Sequence, residues 1–236
     1  MSGGMDRRAW LDERRAAVEA DYDRDAPSYD DGLYPISEVH RSFVGRVVDR
    51  CPSEGVVLDI PCGTGRYFEL VVERGRRVVG ADQSSGMAAQ ARARGLAQSV
   101  DQIGLQELAE IAAFDGVLCI DAMEHVPPED WPAVIGNLAG TLRSGGFLYL
   151  SLEVMADQEG ELRRAHAEAL ARGMPAVGGE SVGEETGGYH FYPSAPQVSG
   201  WLSDAGLRVV DDVTDMAYDD WGYRHLLLEH LPDALS

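Results

Sequence analysis

The chain contains no lysine. All 20 of its basic residues are arginine, set against 40 Asp and Glu, and the formal net charge is −20. Without lysine there is no Tyr-Lys pair of the kind a nicotinamide-dependent oxidoreductase would use. The excess of acid opposes binding to nucleic acid, which needs Lys and Arg to displace counterions from phosphates. Beyond the N-terminal region the densest basic cluster is Arg74, Arg76 and Arg77, which reads as the solvated end of a helix ahead of a strand. An acidic surface mildly favours neutral or cationic small molecules as partners.

Cysteine is also scarce. Cys51, Cys62 and Cys119 have neither metal-ligand spacing nor a disulfide framework. They are expected to be small packing residues in a reducing compartment. No apolar run is long enough to span a bilayer, and the N-terminus is polar, so neither a membrane span nor a signal peptide is expected. These absences point to a cytoplasmic protein. With 236 residues, 44% hydrophobic and 25% charged, the chain can bury the core of one α/β domain with a small embellishment. No internal repeat is visible.

What the chain does have is a strand that ends in acid and glycine. Val56-Val57-Leu58-Asp59-Ile60-Pro61-Cys62-Gly63-Thr64-Gly65-Arg66 reads as a buried parallel strand turning sharply into a helix. The turn sits at the carboxyl end of the strand, where open α/β sheets bind ligands. Gly63 and Gly65 let backbone approach a ligand closely. Phe68 stands where a dinucleotide fingerprint has its third glycine. Asp59 would repel a pyrophosphate, but it suits a ligand with an ammonium group.

Further strands follow. Arg77–Asp82 ends in a carboxylate 23 residues after Asp59, near the spacing at which an acidic residue grips ribose hydroxyls. Ser84 or Ser85 then caps a helix. Phe114–Asp121 is a strong strand, followed by Glu124-His125-Val126. Leu142–Glu153 is a helix end, a glycine turn and another strand. Around this core, residues 1–19 read as a charged helix anchored by Trp10 and Leu11. Residues 22–30 form an aromatic-acidic loop, and residues 37–50 and 156–172 form helices. Residues 173–188 are rich in glycine and too polar for core: either a disordered surface loop or a mobile lid. Pro196–Ala205 is a helix stopped by Gly206, and 207–211 and 223–229 are strands.

These motifs, in this order over roughly residues 20 to 153, resemble the class I S-adenosylmethionine-dependent methyltransferases. The resemblance implies an α/β, Rossmann-like three-layer sandwich. Its seven-stranded sheet would be mostly parallel with the last strand antiparallel, and N-terminal helices and a lid insertion would be added. One domain would fill 1–236. Within it lie an N-terminal helical cap (1–50), a cofactor core (54–153), a helical and Gly-rich lid (155–190) and the remainder of the sheet (191–236).

It implies S-adenosylmethionine as cofactor and a small-molecule acceptor methylated on oxygen or nitrogen, with no metal. The protein would be a monomer or homodimer. The arginine-only, Ala- and Gly-rich composition is typical of a high-GC genome, which makes a role in natural-product biosynthesis plausible. A binding protein that uses the cofactor without methyl transfer, and a nicotinamide-dependent oxidoreductase, are the alternatives.

By the same resemblance, Asp59, Gly63 and Gly65 hold the methionine part, with Asp59 taking the ammonium directly or through water. Asp82 holds the ribose hydroxyls, and Gln83 beside it is a further cofactor-binding candidate. Met87 packs on adenine or simply within its helix. Gly104 or Leu105 flanks adenine, where Gln106 could replace the usual acidic contact. Asp121 and Ala122 line the sulfonium. Tyr29 and Tyr22 cover cofactor and acceptor. His125 and His190 are the candidate bases, with Tyr22 beside them, and Glu153 could orient an amine or accept a proton.

Overall fold

The computed structural model describes residues 6–32, 35–109, 111–183, 188–216 and 220–232. Five parallel strands, β1 (Val56–Asp59), β2 (Arg77–Ala81), β3 (Ser99–Asp101), β4 (Phe114–Cys119) and β5 (Leu142–Met155), share one sheet with β8 (Leu207–Asp215) and β9 (Trp221–His230). The order is β3-β2-β1-β4-β5-β9-β8, and β9 runs antiparallel to both of its neighbours.

Strand side chains alternate between the two faces, so a sheet covered on both sides needs apolar residues at consecutive positions. Leu58, Val117, Leu148 and Leu228 enter one buried cluster, while Val57, Leu118, Tyr149 and Leu227 enter the other. Helices α1 (Arg7–Asp25), α5 (Trp131–Thr141) and α7 (Ala195–Asp204) cover the first face. Helices α2 (Glu38–Val48), α3 (Phe68–Val72) and α4 (Ser85–Ala93) cover the second. The strand order reverses between β1 and β4, and the crevice outside their carboxyl ends is the ligand position of such sheets.

Two expectations need correction. Residues 22–25 are not loop: α1 runs on to Asp25 and passes into a 3-10 turn over Ala26–Gly32. The glycine-rich stretch is not excluded from the core either. After α6 (Gln158–Ala171), β6 (Glu180–Val182) pairs antiparallel with β7 (Tyr189–Phe191), and Ala176, Glu180 and Tyr189 are buried. Glu180, one of the polar residues of this stretch, is neutralised by Arg7 at 2.7 Å. Residues 184–187 of the stretch, and 1–5 of the N-terminal segment, lie outside the described residues. Among the described residues no helix is long and apolar enough to cross a membrane.

Candidate active site

The turn after β1 is built on two glycines with different tasks. Gly63 lies at φ +53, and a Cβ there would meet nothing within 4 Å. Its N–H donates to Asp82 Oδ2 at 2.8 Å, and Ser84 N–H donates to Asp82 Oδ1 at 2.8 Å. Each carboxylate oxygen keeps a lone pair for a further donor. Gly65 departs from its expected role. It does not line the cleft, and a Cβ on it would lie 2.6 Å from the Phe68 ring. The same ring comes within 2.7 Å of a Cβ placed on Gly80. Phe68, the residue at the missing third glycine, is therefore what Gly65 makes room for.

Asp59 lies at the end of β1, fully buried, and neither of its oxygens has a hydrogen-bond partner. Burial, then the charge of Asp82, holds its carboxyl well above the usual range. Asp59 is not on the cleft wall, so direct contact with a ligand's ammonium is not what this arrangement offers. It is an unsatisfied acidic floor behind the turn.

Helix α1 roofs the cleft. Arg15, Val18, Glu19 and Tyr22 follow the i, i+3, i+4, i+7 spacing of one helix face, and all four line it. Asp23 fixes the far end of this helix by accepting from Gly86 N–H at 2.8 Å and the Ser84 hydroxyl at 2.6 Å at the start of α4. Arg15 reaches across to Gln83 Oε1 and Glu107 Oε1, both at 2.6 Å. Gly104 lets these side chains close over it: a Cβ there would lie 2.6 Å from the Arg15 guanidinium and would push their ends aside.

The resulting cleft encloses about 1030 Å³ including its open mouth. It brings together Tyr22, Tyr29, Gly63, Asp82, Gln83, Met87, Leu105, Asp121, Ala122 and His125. Gly104 and Gln106 also line it. His190 stays behind His125, with ring centroids 5.0 Å apart, and does not reach the wall. The sequence reading missed Arg15, Arg66 and Tyr67, which line the cleft too. Helical spacing from Tyr22 would have found Arg15 had α1 been carried past residue 19.

His125 has a defined tautomer. Its Nδ1 lies 3.1 Å from the Tyr189 carbonyl oxygen, which can only accept. The proton is therefore on Nδ1, and the bare Nε2 accepts from the Tyr22 hydroxyl at 3.0 Å. Burial, then the neighbouring His190, lowers the imidazole to about 4. Burial also raises the Tyr22 phenol far above its ordinary value. Both groups are neutral across the physiological range. Behind them, His190 Nδ1 donates to Tyr192 Oη at 3.0 Å, and that hydroxyl donates to Glu153 Oε1 at 3.0 Å.

The wall beside them is acidic. Asp121 sits at φ +51, a strained conformation for a residue with a side chain. Ser151 holds it, donating to Asp121 Oδ1 at 2.6 Å and accepting its N–H at 2.9 Å. The buried His40 Nε2 lies 3.7 Å from the same oxygen. Glu124 is buried with Oε2 unpartnered, and its carboxyl is raised to about 8 by burial and then by Asp121.

The folded protein therefore keeps this proton where the unfolded chain has already lost it. That contribution to stability is complete below the ordinary carboxylate range and is lost as pH rises through about 8. Glu124→Gln preserves the neutral shape. It is expected to raise unfolding free energy by about 1–3 kcal/mol at pH 8 and to change little below about pH 4. Denaturant melts at both pH values check this; equal curves at pH 8 would mean that the acid is ionised in place.

These features fit S-adenosylmethionine. Asp121 on the cleft wall suits a cation, the open space at Gly63 admits a ligand against bare backbone, and Asp82 retains acceptor capacity for two hydroxyls. A methyltransferase-domain family model matches residues 57–146. A ubiquinone biosynthesis O-methyltransferase of Xanthomonas oryzae pv. oryzae is 30% identical over 220 residues, covering 91% of this chain and 86% of that protein.

Among solved structures, Burkholderia thailandensis 1,6-didemethyltoxoflavin-N1-methyltransferase, with its substrate and S-adenosylhomocysteine bound, superposes at TM-score 0.66. The two are 19% identical, with 93% of this chain and 90% of that one covered. Magnesium protoporphyrin IX methyltransferase of Synechocystis, with S-adenosylhomocysteine bound, gives 0.63 at 19% identity, covering 92% and 99%. These likenesses leave no ground for the nicotinamide alternative. The chain belongs to the class I S-adenosylmethionine-dependent methyltransferases.

Proposed function

We propose that the enzyme methylates a hydroxyl oxygen on a small aromatic acceptor, with Tyr22 and His125 removing the acceptor's proton. The observation that carries this reading is the Tyr22–His125 hydrogen bond, with the imidazole held as the Nδ1–H tautomer by the Tyr189 carbonyl. Tyr22, Tyr29 and Tyr67 all line the cleft and offer flat surfaces to a flat acceptor. Curated relatives of similar length are named as O-methyltransferases, which supports oxygen over nitrogen and a biosynthetic small molecule.

In this reading Asp82 holds the ribose hydroxyls, Gly63 backs the methionine part, and Met87 and Leu105 border the adenine. When bound, S-adenosylmethionine supplies a methyl group already activated on a cationic sulfur. The residues of the chain then have three tasks. They orient the acceptor, exclude water under α1, and take one proton.

Tyr22 accepts that proton on its oxygen as it passes its own to His125 Nε2, so no tyrosinate accumulates. The Nδ1–H···O=C bond to Tyr189 holds the imidazolium in place. Asp121, which suits a cation at the sulfur, suits the new cation on the imidazole equally. The site thus never carries an unaccompanied charge.

The direct test is incubation with methyl-labelled cofactor and a panel of phenols and amines. Labelled aryl methyl ethers are expected; label confined to nitrogen or carbon would sink the oxygen reading. For the cofactor, Asp82→Ala is expected to weaken binding by about 1–3 kcal/mol through lost hydrogen bonds to a charged group. Calorimetry showing unchanged affinity would remove the ribose role.

A further inference from the structure

Helix α1 begins at Arg7 and ends beyond Tyr22, spanning the first face of the sheet. At its start, the Arg7 guanidinium forks onto the fully buried Glu180 of β6, donating at 2.7 Å to Oε1 and 3.1 Å to Oε2. The same carboxylate accepts from the Tyr189 hydroxyl at 2.6 Å and from Val177 N–H at 2.7 Å. Arg7 also donates to the Pro175 carbonyl at 2.6 Å, and Trp10 stands edge-on to the Tyr189 ring at 5.9 Å. Tyr189 is the residue whose carbonyl takes the His125 Nδ1 proton. One ion pair therefore ties together the helix that carries Tyr22 and the ribbon that selects the His125 tautomer.

We propose that Arg7 and Glu180 are positioning residues for the reaction: their buried pair docks the β6–β7 ribbon against α1 and so holds His125 as the neutral Nδ1–H tautomer facing Tyr22. This rests on the reading of His125 as the base.

The mechanism is local. A removed partner leaves Glu180 or Arg7 as an uncompensated buried group, and the ribbon moves away to find water. The Tyr189 carbonyl withdraws with it, water reaches His125, and the imidazole's proton affinity returns toward its ordinary value. The charged and titratable groups facing His125 are Tyr22 from α1, with Tyr29 behind it at 6.0 Å, Glu124 at 3.9 Å and Asp121 from the loop after β4, and His190 from β7. Glu153 of β5 reaches it through Tyr192 and His190. None of these is removed by a change at Arg7 or Glu180, so a shift at His125 reports the ribbon itself.

The test is nitrogen-detected NMR of the full chain without cofactor, with the His125 signals assigned by their loss in His125→Ala. Arg7→Met and Glu180→Gln are the variants; Glu180→Gln retains the size of the side chain and its contacts to Tyr189 and Val177. Glu129→Gln is the control, because it breaks only the half-exposed arm of Arg7.

Wild type and Glu129→Gln are expected to show the neutral Nδ1–H form throughout the physiological range. Arg7→Met and Glu180→Gln are expected to raise the proton affinity of His125 roughly tenfold or more and to mix its tautomers while the sheet signals stay in place. An unchanged His125 in either folded variant overturns the proposal, as does an equal change in Glu129→Gln. If neither variant folds, the pair is merely structural and the proposal fails. A spectral change alongside full turnover in His125→Ala would instead sink the base assignment and leave the docking role standing.

Discussion

Gly63→Val is expected to abolish measurable cofactor binding while leaving the protein folded. Gly63 sits at φ +53, a conformation that a β-branched residue adopts only at about 1–2 kcal/mol or more. The open space around its would-be Cβ means that the protein does not resist the new side chain; the methyl groups project instead into the cleft that the residue lines. A ligand that needs bare backbone there loses its seat. The expected loss exceeds about 100-fold, or about 2.7 kcal/mol, by calorimetry with S-adenosylmethionine.

Gly65→Ala is the informative contrast. Its Cβ would strike the buried Phe68 ring at 2.6 Å, so it should lower stability by about 1–3 kcal/mol through overpacking, with the cleft wall intact. Normal affinity in a folded Gly63→Val protein would displace the methionine part from this turn.

The second large effect is on turnover. His125→Ala is expected to lower kcat by about 10²–10⁴-fold, the usual contribution of a positioned base, with cofactor affinity unchanged. Tyr22→Phe removes the relay but leaves Nε2 open to the acceptor, so its loss should be smaller. The pH dependence has a fixed sign. The imidazole is lowered to about 4, so it remains an unprotonated base as pH falls through its ordinary range, and kcat should not acquire an acid limb near pH 6.5. A limb at that position in wild type would mean that His125 is solvated in the working enzyme. Full activity in His125→Ala would move proton removal elsewhere.

Much of this was legible because it rests on local pattern. The apolar runs 56–60, 78–81 and 116–120 read as doubly buried strands, and the family resemblance implied that they share a mostly parallel sheet. Asp82 could be placed because its spacing from Asp59 is set by one βαβ unit. The two tail strands were legible from periodicity; that they complete a seven-stranded sheet whose last strand is antiparallel followed only from the family resemblance.

What escaped depends on partners far apart in sequence. Glu180 reads as solvent-exposed until Arg7, 173 residues away, is placed on it. Gly65 looks like a ligand glycine until the Phe68 ring occupies its missing Cβ. Tyr22 looked like loop because residues 22–30 are aromatic and acidic, yet the last turn of α1 is held where Asp23 accepts from Gly86 N–H at the start of α4. His125 and His190 were the first and second candidate bases in sequence, and packing puts the first on the wall and the other behind it.

The most direct measurement is a crystal structure with S-adenosylhomocysteine bound. The account predicts its ribose on Asp82 and its sulfur facing the space beside Tyr22 and His125. An acceptor oxygen there would lie roughly 3–3.5 Å from the methyl position and within hydrogen-bond reach, roughly 2.6–3.2 Å, of Tyr22 or His125 Nε2. A sulfur turned away from that pair, or an adenosine seated off Asp82, would contradict it.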